Sequence, residues 1–246
     1  MEHYSVWRDR VIERCRAKER YDFTDLCDII TVLRGEGGCP WDREQDHRSI
    51  RSGLIEECYE VLDAIDRDDA VSMREELGDV LLQIIFHSEI EREEGHFDVG
   101  DVIHDECVKM VYRHPHVFGD VVADSSGQVL ENWEKLKNSE KNRKTLAEKL
   151  SGIPPMLPSL LRASKVSKKL KYNQDLSTDV LLDRVIAALN DLKGADVQEQ
   201  KSLGEEAGEL LFLLAGIFQR MGIDSEEVLR ENIDEKIATI SASENL

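Results

Sequence analysis

Two pairs of acidic residues, each with a spacing of three positions, are the part of this sequence best suited to chemistry. Glu57 and Glu60 lie in "EECYE", and Glu76 and Asp79 lie in "EELGD". Residues three positions apart are neighbours on a helix surface, so each pair can point in one direction. Both pairs border an apolar stripe, and the short segment 67–72 favours antiparallel neighbouring helices. The four carboxylates are therefore expected to converge along one edge of the seam between these helices.

Four converging carboxylates repel one another, and a bound divalent cation would offset the repulsion and keep the groups ionised. Carboxylate oxygens are hard ligands, which suit Mg²⁺ or Mn²⁺. The alternative is a solvated acidic face, because 34% of the chain is charged and an E-x-x-E spacing arises easily by chance. The presence of two such pairs on adjacent helices favours the metal site.

The elements that must position these carboxylates are helices. Apolar residues recur at helical spacing in 54–65, 77–85, 181–192 and 210–221, whereas alternating strand patterns are scarce. The predicted fold class is all-α. The chain has 246 residues and is 41% hydrophobic, which allows one large domain or two small ones with a buried core.

The overall charge and the cysteines limit the partners and the compartment. A formal net charge of -19 argues against binding to duplex nucleic acid or to an anionic membrane unless a cation bridges the charges. No apolar run is long enough to span a bilayer, and the charged N-terminal segment does not resemble a signal peptide. The five cysteines are odd in number and form no C-x-x-C motif, which fits a reducing compartment. We expect a cytoplasmic protein without membrane or duplex nucleic acid partners.

The acidic helix has a second, incomplete copy near the end of the chain. The segment "REELGDVLLQIIF" aligns with "GEEAGELLFLLAGIF" 130 positions later, so that Glu206 matches Glu76 and Glu209 replaces Asp79. The helix before this copy can be aligned with the helix of Glu57 at an offset of 130 or 131 positions. In either alignment an alanine, Ala187 or Ala188, stands at the position of Glu57. Because a metal site needs several ligands at once, we expect the second copy to be catalytically weak or inactive and to serve folding, dimerisation or regulation.

Turn-rich and charged segments divide the chain into modules. Three of the five prolines lie in "IPPMLPS", which follows the charged run "KNSEKNRKT". We predict an N-terminal helical extension at 1–22, a catalytic module at 23–140, a linker at 141–160 and a degenerate second module at 161–246.

The succession of "EECYE" and "EELGD" resembles the signature of the MazG-type nucleotide pyrophosphohydrolases. Three further segments resemble family segments in the family's order: "GGCPWDREQDHRSIRSGLIEECYEVLDAID", "KMVYRHPHVFGDV" and "VLENWEKLKNSEK". The segment "IPPMLPSLLRASKVSKK" resembles the bridge to a second MazG module. The resemblance covers most of residues 30–240 and implies two tandem helical-bundle modules of the MazG, or all-α NTP pyrophosphatase, type.

The resemblance implies an activity, a cofactor and a ligand set. The activity is the hydrolysis of nucleoside triphosphates to the monophosphate and pyrophosphate, with Mg²⁺ or Mn²⁺ as the cofactor. Such a reaction would clear non-standard or excess nucleotides. The implied metal ligands are Glu57, Glu60, Glu76 and Asp79, and the implied assembly is a homodimer. Glu56 is the spare carboxylate of the first motif, and we take it as a further ligand or as the general base that orients water.

Five other residues are candidates for contacts with the nucleotide, and four of them match basic or aromatic positions of the family segments. The basic ones, Lys109, Arg113 and Lys137, are expected to contact phosphates, although a single basic residue is often only a solvated charge. Trp133 is expected to stack on a base, with core packing as the alternative. Trp41 is expected to pack its loop against the module, and a base contact is the less favoured role.

Three other functions remain open at the level of the sequence. A narrow-substrate all-α pyrophosphohydrolase, dUTPase-like or acting on phosphoribosyl-ATP, is disfavoured by "GCPWD" and "RHPHVFGD". A carboxylate di-iron bundle needs E-x-x-H on its ligand helices, which 56–60 and 75–79 lack. A non-enzymatic acidic helical interaction protein would release no pyrophosphate from nucleotides in the presence of a metal.

Overall fold

Helices form all of the regular secondary structure in the residues that the computed structural model describes, which are 3–141, 144–171, 175–194 and 200–244. The predicted all-α class is confirmed. The helices of the first half are α1 (Tyr4–Ala17), α2 (Phe23–Arg34), α3 (Pro40–Glu44), α4 (Arg51–Asp66), α5 (Ala70–Glu94), α6 (Val99–Arg113) and α7 (Pro115–Phe118). Those of the second half are α8 (Ser126–Glu140), α9 (Leu146–Ser151), α10 (Ser159–Leu170), α11 (Thr178–Gly194), α12 (Gln200–Arg220) and α13 (Ser225–Glu244).

The chain divides into two compact units, Met1–Val122 and Ala123–Leu246. The division falls before α8, whereas the sequence places its linker after that helix. The ion pair between Lys169 of α10 and Glu134 of α8, at 2.9 Å, joins α8 to the second unit. The module boundaries deduced from the sequence, and the tandem repeat itself, stay predictions. None of the helices in the described ranges combines the length and the apolar character needed to cross a membrane.

Local capping signals explain where the helices of the first unit begin and end. Asp22 and Asp25 form a reciprocal capping box at the start of α2, and Asp98 does the same with Asp101 at the start of α6. The longest helix, α5, ends at Gly95, whose φ of 78° is a left-handed conformation that glycine adopts without strain. Of the two helices that carry the acidic pairs, α5 is capped at both ends, whereas α4 starts after Ile50 without a side-chain cap.

The core of the first unit lies between α2 and α5. It contains five buried apolar residues, Ile30, Ile50, Ile85, Phe86 and Ile90. The apolar stripe that the sequence shows at 54–65 behaves differently, because Leu62 and Ile65 of α4 are each almost half exposed. At these two positions α4 therefore presents apolar surface to solvent.

The second unit has its own core. Leu181, Leu213 and Ile217 bring α11 and α12 together. Helix α10 approaches α12 closely because Gly216 has no side chain; a Cβ there would lie 2.5 Å from the Ser167 hydroxyl oxygen. The second unit is thus a packed helical body of its own.

Arg34 ties three segments of the first unit together at the end of α2. Its guanidinium donates two hydrogen bonds to the carboxylate of Glu93, at 3.0 and 2.7 Å. The remaining nitrogen donates to the carbonyl oxygens of Asp42 and Gln45, at 2.7 and 3.0 Å. The guanidinium carbon also lies 5.0 Å from the centre of the Phe86 ring. Because the side chain of Arg34 is only 5% exposed, these bonds form with little competition from water.

Replacing Arg34 by alanine should lower the free energy of unfolding by about 2–4 kcal/mol, because two buried carbonyls lose their donor and Glu93 loses its partner. Lysine at this position should give an intermediate loss, since an ammonium cannot reproduce the planar fork. The matched control is Arg67→Ala, which breaks an exposed ion pair with Asp63 and should cost less than about 1 kcal/mol. Urea denaturation measures all three, and equal stabilities for Arg34→Ala and Arg67→Ala would contradict the role of Arg34.

Candidate metal centre

A three-residue connection holds the two acidic helices against each other. Helix α4 ends at Asp66 and α5 begins at Ala70, and the two pack along their lengths as an antiparallel pair. Asp69 caps α5, because its side chain accepts hydrogen bonds from the amides of Val71 and Ser72 at 3.0 and 3.1 Å. This short, capped turn fixes the register in which the carboxylates of α4 face those of α5.

The acidic pairs converge as the sequence predicts. Glu57, Glu76 and Asp79 each offer a carboxylate oxygen, and these three oxygens all lie within 4.8 Å of one another. The three residues are partly buried. Glu60 is more exposed, but its carboxyl group lies within hydrogen-bonding reach of both Glu57 and Glu76. The geometry therefore brings all four candidate ligands into one acidic cluster.

Partial burial and mutual repulsion raise the pKa of two members of the acidic cluster. The pKa of Glu57 lies above its ordinary value, first because burial desolvates the carboxylate and then because the charges of Asp79 and Glu60 are close. The pKa of Glu76 is raised by desolvation and then by Glu60. The ionised carboxylates of the cluster therefore repel one another unless a counter-charge is present. A divalent cation provides that counter-charge, and the all-oxygen donor set fits a hard ion such as Mg²⁺ or Mn²⁺.

Two further sequence-based candidates, Glu56 and Trp41, have exposed side chains. Glu56 precedes Glu57 on α4 and has an exposed side chain, which leaves it accessible to water. Trp41 lies on the short helix α3 and is 63% exposed. This exposure is more than the predicted packing role requires and leaves the indole face available to a ligand. The roles of both residues stay predictions.

Gln83 of α5 lies against α4 at Gly53, and the sequence alone did not single it out. It follows Asp79 by four positions on α5, so it lies one turn further along the same face. Gly53, four positions before Glu57 on α4, makes room for it, since a Cβ there would lie 2.8 Å from the Gln83 amide nitrogen. The amide oxygen is buried and has no hydrogen-bond partner. The four-residue spacing from Asp79 was the available signal.

The basic candidates on α6 differ in exposure. Lys109 is partly buried and pairs with Glu106 one turn earlier. Arg113 is buried at the end of the helix, with 5% of its surface exposed. His114 follows Arg113 in the chain. Its Nδ1 lies 2.7 Å from the carbonyl oxygen of Met110, and because a carbonyl oxygen can only accept a hydrogen bond, Nδ1 is the donor. The end of α6 is therefore an ordered and largely enclosed basic turn.

Trp133 and Lys137 meet each other on α8 of the second unit. The Lys137 ammonium nitrogen lies 4.6 Å from the centre of the Trp133 ring, a cation–π contact. Both side chains are partly buried. The acidic cluster, Lys109 and Trp41 belong to the first unit, so the predicted substrate residues are distributed over both units.

The helix that the sequence predicts to be a second copy of the acidic helix lacks the convergence seen in the first unit. Glu206 and Glu209 lie on α12, with Glu206 partly buried and Glu209 exposed. Among the described residues of the second unit, no three metal-binding side chains bring their donor atoms as close together as Glu57, Glu76 and Asp79. The preceding helix, α11, carries Ala187 and Ala188 at the positions that correspond to Glu57.

Known proteins share this arrangement of motifs. The family model of the MazG nucleotide pyrophosphohydrolase domain matches residues 45–118, which contain both acidic pairs. A Thermotoga maritima protein named nucleoside triphosphate pyrophosphohydrolase/pyrophosphatase MazG is 38% identical over 211 residues, which are 85% of this chain and 80% of that protein. This chain belongs to the MazG family. The resemblance that the motifs indicate is thus confirmed.

Two other relatives are covered by this chain to different extents. A nucleoside triphosphate pyrophosphohydrolase of Escherichia coli K12 is 38% identical over 213 residues, which are 84% of this chain and 81% of that protein. The uncharacterized protein YabN of Bacillus subtilis is 39% identical over 213 residues, which are 85% of this chain but 43% of YabN. The similarity therefore extends well beyond the matched domain and spans less than half of the YabN protein.

Replacing Glu57 or Glu76 by glutamine should raise the melting temperature of the metal-free MazG chain at pH 7 by about 2–4 °C, because each change removes one repelling charge. The same variants should lose most of the stabilisation that Mg²⁺ gives to the wild type. Thermal melting in EDTA and in excess Mg²⁺ measures both effects. Glu13→Gln, which removes an exposed carboxylate on α1 outside the cluster, is the control and should resemble the wild type in both buffers. Lower melting temperatures in EDTA for both cluster variants would contradict the repulsion.

The pH dependence of this stability has a defined sign. Because the pKa values of Glu57 and Glu76 are raised in the folded chain, their contribution to stability is largest below the ordinary glutamate pKa of 4.5. It is lost as the pH rises through the raised values. In excess Mg²⁺ the gain in melting temperature should shrink as the pH falls through the same window, because protons compete with the cation.

Proposed function

We propose that this MazG chain hydrolyses nucleoside triphosphates to nucleoside monophosphates and pyrophosphate, with Mg²⁺ or Mn²⁺ bound by Glu57, Glu60, Glu76 and Asp79. The observation that carries the proposal is the convergence of partly buried carboxylate oxygens within 4.8 Å on a fixed helical hairpin. The relatives named as nucleoside triphosphate pyrophosphohydrolases support the same reaction. A strongly acidic chain can bind a polyanionic substrate in this way because the cation bridges the two negative charges.

The chemistry follows from what each residue is placed to do. When bound, the cation neutralises phosphate oxygens and increases the electrophilicity of the α-phosphorus. The cluster carboxylates hold it, and the short capped turn of the hairpin keeps their spacing fixed. Glu56 accepts the proton of the attacking water. The water oxygen forms a bond to the α-phosphorus as the bond to the bridging oxygen breaks, and pyrophosphate leaves with that oxygen.

The remaining candidates bind the nucleotide. Lys109, Arg113 and Lys137 neutralise phosphate charge that the cation does not reach. Trp133 offers a face for the base, and its contact with Lys137 at 4.6 Å keeps a cation beside that face. Trp41 is the second stacking candidate because of its exposure. Substrates with different bases are compatible with this mode of binding, since stacking tolerates every base.

The second module contributes scaffold rather than chemistry in this proposal. It keeps Glu206 and Glu209 but has alanine where Glu57 would stand. Its packed core supports a role in folding or assembly. The five cysteines of the chain are free thiols, as in a reducing compartment, and we place the enzyme in the cytoplasm. We propose no contact with duplex nucleic acid, given the net charge of -19.

A homodimer would cover the apolar surface that α4 leaves exposed. Four residues of this helix, at helical spacing, are each about half exposed; they are Ile55, Tyr59, Leu62 and Ile65. Helix α6 exposes Ile103, Val108 and Val111 to a similar degree. Contiguous apolar surface of this kind marks an interaction site in soluble proteins.

A panel of ribo- and deoxyribonucleoside triphosphates tests the activity. With Mg²⁺ the wild type should release pyrophosphate and the matching monophosphate, and Glu76→Ala should reduce kcat/KM by at least about 100-fold, more than a supporting residue around a metal usually costs. Lys109→Ala and Lys137→Ala should act mainly through a higher KM. Glu206→Ala is the matched control in the second module and should retain wild-type activity. The reaction is refuted if no triphosphate yields pyrophosphate, and the site is refuted if Glu76→Ala is fully active.

Sedimentation velocity tests the assembly. The wild type should sediment as a dimer at micromolar concentration, and Leu62→Asp should shift it toward the monomer because a carboxylate would be placed in an apolar interface. Val122→Asp is the matched control, since Val122 is 79% exposed and lies outside α4 and α6. A wild type that stays monomeric, or a Leu62→Asp variant that stays dimeric, would argue against α4 as the interface.

A further inference from the structure

A second group of metal-binding side chains lies at the opposite end of α5 from Glu76. His47 Nε2 lies 2.7 Å from Glu91 Oε1, and His96 Nδ1 lies 2.7 Å from Glu91 Oε2. His47 belongs to the loop before α4, Glu91 to α5, and His96 to the turn after α5. Donor atoms from three segments therefore converge on one carboxylate, about 18 Å along the helix from Asp79.

Three donor atoms of this group are close enough to share one ion. Glu91, Glu94 and His96 each offer a donor atom, and these atoms all lie within 4.8 Å of one another. His96 Nδ1 is 3.7 Å from Glu94 Oε2. Glu91 uses both of its carboxylate oxygens in these contacts, Oε1 toward His47 and Oε2 toward His96.

His87 orients His47 toward Glu91. The two Nδ1 atoms are 2.7 Å apart, the ring planes differ by 12°, and the ring centres are 5.0 Å apart. The distance between the two ring centres is longer than the distance between the two Nδ1 atoms by about two ring radii. The rings therefore lie edge to edge in one plane. One Nδ1 then donates to the other. A metal-binding histidine is usually oriented by a hydrogen bond at the ring nitrogen that does not face the metal, and His87 provides such a contact at Nδ1 of His47.

The two neighbouring glutamates of α5 are already neutralised. Glu89 forms two 2.7 Å hydrogen bonds with Arg92, and Glu93 forms its fork with Arg34. Glu91 and Glu94 are thus the carboxylates at this end of the helix that face histidine. A mixed set of imidazole nitrogen and carboxylate oxygen suits Zn²⁺ and related ions better than Mg²⁺, which prefers oxygen alone.

We propose that Glu91, Glu94 and His96, with His47 as a fourth ligand, bind a divalent transition-metal ion of the Zn²⁺ class at a site separate from the acidic cluster. The ion links the loop before α4 to the end of α5. Its effect is to stabilise the first unit, and it takes no part in phosphate chemistry. The inference does not depend on the nucleotide activity.

Calorimetric titration of the full chain with Zn²⁺ tests this site. The Glu57→Gln/Glu76→Gln variant serves as the background, because it removes competition from the acidic cluster. In that background we expect one Zn²⁺ per chain and a higher melting temperature with Zn²⁺ than with EDTA. His96→Ala should weaken the binding at least tenfold, and His47→Ala should weaken it to a smaller degree.

His104→Ala is the matched control, because His104 is exposed on α6 outside the group. It should bind Zn²⁺ like the background variant. Melting in EDTA should be the same for His96→Ala and His104→Ala, since His96 is 63% exposed and its loss should leave the fold intact.

Unchanged Zn²⁺ affinity in His96→Ala would overturn the site. Unchanged affinity in His47→Ala alone would remove the fourth ligand. Neither outcome bears on whether the acidic cluster hydrolyses nucleotides.

Discussion

Repulsion among carboxylates on the α4–α5 hairpin is the constraint around which the first unit is built. One carboxylate oxygen from each of Glu57, Glu76 and Asp79 lies within 4.8 Å of the other two, on helices joined by a short capped connection, and partial burial weakens their solvation. Desolvation and like charges raise the pKa of both glutamates. A fold arranged only for stability would separate these groups, whereas a fold that must hold a divalent cation keeps them together.

Helix α5 can hold these repelling carboxylates in place because its apolar face packs in the core of the first unit. Ile85, Phe86 and Ile90 pack against α2 in the core of the first unit. Arg34 then links the end of α2 to the end of α5 through Glu93 and holds the loop that carries α3. A 25-residue helix secured along its apolar face presents its polar face in a fixed order, from Glu76 to His87 and beyond.

The two units differ in the carboxylates that they bring together. The second unit has a packed helical pair with Leu181, Leu213 and Ile217 at its centre. It carries Glu206 and Glu209 on α12, but its described residues form no cluster like that of Glu57, Glu76 and Asp79. Packing depends on the apolar stripe, whereas metal binding depends on several ligands at once.

The sequence by itself determined the helices, their caps and the helix face that each acidic pair shares, because each of these depends on residues at most a few turns apart. The short connection between α4 and α5 then brings the two pairs together. The capping box of Asp22 with Asp25 and the three-residue spacing of Glu76 and Asp79 are signals of this kind. Only the tertiary structure decided that α4 leaves Leu62 and Ile65 exposed. It alone decided that Arg34 reaches Glu93, 59 positions away, and that His47 reaches Glu91, 44 positions away. Helical periodicity specifies which side chains share a face, but which face meets which depends on how the whole chain packs.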